Sequence, residues 1–540
     1  MLQIGPILLL LSLFGIHALS SPVGTAGKQE PNLRSSKNQY AKRNSGSGHL
    51  EIELQHIEQT YYATTLEIGT PPQNLTVLFD SGSSDLWVMD ASNPYCESQY
   101  TGSQTYNGSS INQASTIDCS SFMTFNKSLS SSFKTKGTSR FYAYYSDKTF
   151  ADGSWATEKL TMNGVDVSSL QFGLGNCVTT PVSGVLGIGF PRRESVKGYD
   201  NAPNEFYPNF PQVLKNQGII DVVAYSMFLN KLESDTGSIL FGAIDTSKYT
   251  GDLVTFPMLN IYPDVTDKPA TLMVILQGLG AQDNANCKAE TFVTSKIPVL
   301  LDSGTTLMGA PKEIADMMAD FMNATFSEDE GIYIMECPTK ETLANTDYIF
   351  DFGGVQIKVP LSNFILSAQS EGGPCGFAVL PDDSNTMVLG DIFLSSAYVV
   401  FDLDNYQISL AAANLDNNVS LEDSIINIPS DGNIPNAKMA TVDPWSTYET
   451  FTVTSAIATA CTKPISSSSS SSSSLHPSSQ LTTTKPDDSH IPSSLATTTA
   501  DAPEQLSSQV EIVYKTKTET IHSTVVIGVC NAKSYTTLTN

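Results

Sequence analysis

Two aspartates in this chain sit in matching local settings. Asp80 follows Val77-Leu-Phe and precedes Ser-Gly-Ser-Ser; Asp302 follows Val299-Leu-Leu and precedes Ser-Gly-Thr-Thr. Three apolar residues before each Asp predict a buried strand that fixes it. Gly82 and Gly304 then permit a sharp turn and a close backbone approach. Two such turns placed face to face would bring two carboxylates within hydrogen-bond reach. Carboxylates that close cannot both ionise, so they share one proton. The ionised one is a general base for a water molecule. The protonated one polarises a peptide carbonyl and later protonates the leaving nitrogen. This chemistry uses no covalent intermediate, cofactor or metal.

One Asp-Ser-Gly alone is usually an ordinary turn. The second copy changes that, because each is also followed by a further echo: Val185-Leu-Gly-Ile-Gly and Val388-Leu-Gly-Asp-Ile. Two similar halves in this order point to a duplicated lobe, with one Asp from each half meeting at the interface. From Leu50 to Asn414, short runs rich in Val, Ile, Tyr, Phe and Thr alternate with Gly, Asn, Asp and Ser clusters. Tyr61–Ile68, Thr76–Phe79, Val222–Leu229, Val299–Leu301 and Ala397–Leu403 read as strands, and the class is mainly β. Pro311–Phe321 has Pro at its start and helical apolar spacing.

These segments resemble the signature of the pepsin family. The resemblance rests on Phe79-Asp-Ser-Gly-Ser-Ser-Asp-Leu-Trp-Val88, Leu301-Asp-Ser-Gly-Thr-Thr306, Val388-Leu-Gly-Asp-Ile-Phe-Leu394 and Ser396-Ala-Tyr-Val-Val-Phe-Asp402, and it covers roughly residues 51–414. It implies a bilobal, mostly antiparallel β fold with a long cleft, an N-terminal lobe over 51–235 and a C-terminal lobe over 236–414. It also implies that Asp80 and Asp302 are catalytic. Ser81 and Ser303 match residues whose hydroxyls brace the two active loops. Ser83 and Thr305 match donors to the outer carboxylate oxygens. Tyr145 matches the tyrosine of a hairpin flap, with Trp87 as its partner; Ser146 and Lys148 stand where the family usually has glycine. The resemblance pairs Cys96 with Cys119 and Cys337 with Cys375. It leaves Cys177, Cys287, Cys461 and Cys530 with three possible connectivities.

Tyr61–Thr70, Thr180–Tyr199 and Pro444–Thr447 are further similar to a secreted yeast branch of the family that degrades a peptide mating pheromone. This implies an extended peptide substrate, a pheromone of the α-factor type. The alternatives are a yapsin-like cell-surface protease cutting at basic residues and a non-catalytic pepsin-fold binding protein. The latter would have lost an Asp or a turn glycine, and all are present.

Composition agrees with a soluble exported enzyme. Apolar residues make up 40% of the 540, enough for a sizeable core, and the formal net charge is −26. That charge argues against nucleic acid or an anionic membrane as partner. With eight cysteines, no CxxC pair and six histidines, disulfides are expected rather than zinc. Residues 1–20 read as a signal peptide: an apolar run from Ile7 to Ile16, then Ala18-Leu-Ser. Residues 21–43 read as a propeptide ending at Lys42-Arg43. Sequons at Asn74, Asn107, Asn126, Asn323 and Asn418 fit secretion into the extracellular or cell-wall space. Residues 415–540 form an extension, of low complexity around 462–510, that reads as an O-glycosylated tail. Its final apolar run is too short for a lipid-anchor signal. A monomer without a stable membrane anchor is expected.

Overall fold

The computed structural model describes residues 48–441 apart from 97–101, 107–108, 114–116, 118, 120–122, 146–148, 198–205, 294, 369–371 and 417–421. The signal peptide, the propeptide up to 43, the tail beyond 441, Asn107, Asn418, Ser146, Lys148, Cys461 and Cys530 lie outside the described residues.

The two Asp-bearing segments are built alike. Gln73–Asp80 is the first active strand and Ile297–Leu301 the second. The apolar echo noted in each half forms a short strand lying parallel to it. Val185 pairs with Leu78 and Leu186 with Phe79; Val388 pairs with Leu300 and Leu389 with Leu301. The register is therefore the same, counted from each Asp. On its other side each echo strand pairs antiparallel with a strand that comes after the active loop, matching Leu186 to Leu86 and Leu389 to Met308. Both partners lie six residues beyond their Asp. Each active loop is thus trapped between the two strands that flank its echo strand.

The apolar residues ahead of each Asp are the reason this arrangement holds. Val77, Leu78, Phe79, Val299 and Leu301 are fully buried and Leu300 nearly so. Burying one such side chain contributes about 1.5–3 kcal/mol. A strand covered on both faces is expected to read as a continuous apolar run, which is how these read.

Among the described residues the first repeat's strands belong to a fourteen-stranded sheet that also takes in Ala224–Phe228, Ala397–Asp402 and Gln407–Ala413. The second active strand lies in a separate five-stranded sheet. Strand expectations hold at Tyr61–Ile68 and Ala397–Asp402, and the helix runs Lys312–Phe321 with Pro311 as its N-cap. The chain continues to contribute structure past Asn414. Ile425–Asn427 pairs with Ala243–Asp245, and Ala437–Met439 runs parallel to Tyr249–Pro257. Ile428 and Ile434 are buried there.

Candidate active site

The two active loops meet. Asp80 is 4% exposed and Asp302 fully buried, and their carboxyl groups are hydrogen-bonded to each other. Each is held by its own loop in the same way. Asp80 accepts from Gly82 N at 2.7 Å and from the Ser83 hydroxyl. Asp302 accepts from Gly304 N at 2.9 Å and Thr305 Oγ1 at 3.0 Å.

The serines after each Asp cross-brace the loops. Ser81 N donates to Ser303 Oγ at 3.1 Å, and Ser303 N donates to Ser81 Oγ at 2.9 Å. Ser81 Oγ donates to Leu301 O and Ser303 Oγ to Phe79 O, at 3.1 and 3.0 Å. Every hydroxyl both donates and accepts across the junction, so all four groups of this buried junction are satisfied.

The glycines serve space rather than backbone freedom, because neither takes a positive φ. A Cβ on Gly82 would lie 2.5 Å from Asp302 Oδ1. Gly304 likewise faces the Asp80 carboxylate. Each glycine makes room for the opposite carboxyl group.

Burial raises both carboxyl pKa values. Hydrogen bonds from Ser83, Gly82 and Asp302 pull Asp80 back down, whereas the neighbouring charge of Asp80 lifts Asp302 well above the ordinary range. Two buried carboxyl groups this close hold one proton between them, and the titration belongs to the pair.

Tyr145 is 4% exposed and donates its backbone N–H to Thr149 O at 2.9 Å. Trp87 donates Nε1–H to the Tyr145 hydroxyl at 2.5 Å. The adjoining strands, Lys134–Tyr144 and Phe150–Met162, pair antiparallel as a hairpin. Arg140 clamps its stem with two bonds to Asp152, at 2.6 and 2.7 Å.

Cys96 is bridged to Cys119 and Cys337 to Cys375; Cys177 and Cys287 are disulfide-bonded as well. Asn74 and Asn323 are exposed, and the Asn126 side chain caps a short helix through Ser128 N. Among the described residues no cluster suits a metal ion.

Four polar residues near the site escaped the sequence reading. Asp391 is fully buried with neither carboxylate oxygen hydrogen-bonded. Burial, then the neighbouring Asp302 carboxyl, pushes its pKa well above the usual range. Asp85 accepts from Tyr207 Oη at 2.6 Å and from Ser195 N at 2.8 Å. Glu194 accepts from Tyr207 N at 2.9 Å, and burial pushes it up to about 9. Arg193 lines a concavity beside Ser81 and Gly82.

A braced pair of buried carboxyl groups sharing one proton, at the junction of two repeats, defines an aspartic peptidase. The chain belongs to the eukaryotic aspartyl protease family, whose sequence profile matches residues 61–413. It is 60% identical to barrierpepsin of Saccharomyces cerevisiae over 428 residues, covering 78% of this chain and 72% of that protein. Aspartic proteinase yapsin-3 of the same yeast is 41% identical over 415 residues, covering 74% of this chain and 76% of the relative. An acid protease of Saccharomycopsis fibuligera is 37% identical over 359 residues, covering 66% and 82%. The enzyme acts on peptides, and no described helix is long and apolar enough to cross a membrane.

Proposed function

We propose that this chain is a secreted endopeptidase in which Asp80 and Asp302 are the catalytic pair, and that its substrate is a short, extended, largely apolar peptide, a mating pheromone of the α type. The carrying observation is the carboxyl pair itself: two buried carboxyl groups, both raised above the ordinary range, with all four brace groups satisfied. Asp80 takes a proton from water as the water oxygen adds to the scissile carbonyl carbon. Protonated Asp302 hydrogen-bonds the carbonyl oxygen and stabilises the charge that develops there. Collapse of the adduct breaks the C–N bond and passes a proton from the pair to the leaving nitrogen. The pair ends with the single proton it began with.

The Tyr145 hairpin supplies the flap, and the cleft binds an extended strand through main-chain hydrogen bonds. Similarity to barrierpepsin, greater than to yapsin-3, supports the pheromone reading. The signal peptide, propeptide and sequons support an exported, proteolytically processed glycoprotein acting as a monomer outside the cell. The N-terminal lobe is assigned to 51–235 and the C-terminal lobe to 236–414.

The test is hydrolysis of an α-type pheromone against unrelated peptides of equal length, including peptides with basic pairs. A clear kcat/KM preference for the pheromone is the expected result. Equal rates would reduce the claim to general peptidase, preference for basic pairs would favour a processing protease, and no pheromone cleavage would overturn it.

A further inference from the structure

Beside the first active loop lies a small concavity, lined among others by Ser81, Gly82, Phe190, Arg193, Thr271 and Leu272. Two of these residues carry buried polar atoms that have no partner: Arg193 Nη1 and Thr271 Oγ1. One is a cationic donor and the other a hydroxyl. Buried polar groups are normally paired, and a buried cation without a counter-ion costs several kcal/mol. The charge of Arg193 has no ion-pair partner at contact distance among the described residues. None of the ion pairs among the described residues involves it. Its chain neighbour Glu194 holds its proton up to about pH 9 and points at Tyr207 N. Asp85 is occupied by Tyr207 and Ser195. The active pair carries one negative charge and acts on Arg193 only through space, together with Tyr262.

We infer that this concavity is a specificity pocket for a carboxylate on the peptide substrate, with Arg193 Nη1 and the Thr271 hydroxyl as its two donors. A carboxylate offers two acceptor oxygens and the charge that Arg193 lacks, and charge-assisted bonds of this kind are the strong ones. A neutral amide would satisfy one donor and leave the cation unbalanced. An ammonium would be repelled. The pocket therefore ranks substrates by the charge of one residue near the cleaved bond: acid above amide above base. Its wall adjoins the loop of Asp80, so the residue it reads lies close to the scissile bond. The carboxylate can belong to an Asp or Glu side chain or to the C-terminus of a peptide ending at that position.

The inference rests on the enzyme's being a peptidase and not on the identity of its natural substrate. The experiment uses C-terminally amidated peptides sharing one apolar cleavable bond. Glu, Gln or Lys is placed singly at each of three positions on either side. At one position the native enzyme should rank Glu over Gln over Lys, with about tenfold in kcat/KM between Glu and Gln. A peptide ending at that position as a free acid should surpass its amide if the terminal carboxylate also fits. Arg193→Met should compress the Glu-to-Lys range at that position to about twofold, Arg193→Lys should keep the ranking, and Thr271→Val should reduce it partway. Each ranking is a ratio within one enzyme, so a smaller folded fraction does not enter it. If Arg193→Met is not recovered folded, Arg193→Gln and the native scan decide. A native enzyme without acid preference at every position overturns the inference, as does a neutral Arg193 variant that keeps the full ranking.

Discussion

The proposed mechanism gives Asp80 and Asp302 different tasks although their loops are near copies. Burial raises both carboxyl groups; hydrogen bonds from Ser83 and Gly82 offset part of the rise at Asp80, and the neighbouring charge adds to it at Asp302. Asp80→Asn removes the base and Asp302→Asn the acid. Each should lower kcat by about 10³-fold or more, the scale of a lost general acid or base. Amides of the same shape keep the loop contacts, so thermal unfolding should change by only a few degrees. Near-native turnover in either variant would refute the two-carboxylate mechanism. Gly82→Ala tests the space argument, because its methyl would meet Asp302 at 2.5 Å. We expect loss of activity together with a lower Tm, since the colliding group is a buried carboxyl held on both oxygens.

The brace and the flap belong to the scale of elements. Removing the hydroxyl in Ser81→Ala leaves the buried Ser303 N–H and Leu301 carbonyl without their side-chain partner. A buried group left unsatisfied costs about 1–3 kcal/mol. Urea unfolding should show that loss, and Ser81→Thr, which keeps the hydroxyl, should restore it. At the flap, Trp87→Phe deletes the donor to Tyr145. It should raise KM about fivefold, the worth of one net hydrogen bond, with a smaller change in kcat. Truncation is a third test. A chain ending at Asn414 loses two strands and buried Ile428 and Ile434, about 3–6 kcal/mol of apolar burial. It should be markedly less stable than one ending at Thr441. How much of this was legible follows from where the information lies. The Asp-Ser-Gly turns, their apolar strands and the echo strands are local patterns, so a reader of the sequence finds them. Thr271 and Arg193 are neighbours only because the two repeats fold together. Asp85 meets Ser195 and Tyr207 through contacts 110 and 122 positions apart, Glu194 joins them through Tyr207 N, and nothing in the types of these acids announces burial. The family resemblance carried Tyr145 and Trp87, since three nearby tyrosines read equally well as strand residues.

The pH dependence of folding belongs to the whole molecule, because acids with raised pKa values are spread through it. Glu194 binds its proton up to about pH 9 in the folded state, whereas an unfolded glutamate releases it near the ordinary value of 4.5. Between those values the folded chain holds more protons than the unfolded one. Stability must then fall as pH rises, by up to about 1.4 kcal/mol per pH unit for one proton. Asp391, Asp85 and the active pair are shifted in the same direction, and a net charge of −26 adds self-repulsion above neutrality. Several groups oppose them, His56 among them. His56, stacked on Tyr62 at 4.2 Å, has its pKa lowered by burial. Its contribution is fully present above the ordinary value of 6.5 and is lost as pH falls through its folded value. The molecule should accordingly be most stable in mild acid and unfold readily in alkali. Glu194→Gln tests one of these carboxyl groups directly, because the amide keeps an acceptor for Tyr207 N and cannot ionise. Denaturant unfolding of native and variant protein at pH 4, 6 and 8 should give similar stabilities at pH 4. At pH 8 the variant should be the more stable by a few kcal/mol. Parallel pH curves for the two proteins would show that Glu194 is ionised in the folded state, and would remove it from the list of groups that confine this enzyme to acid.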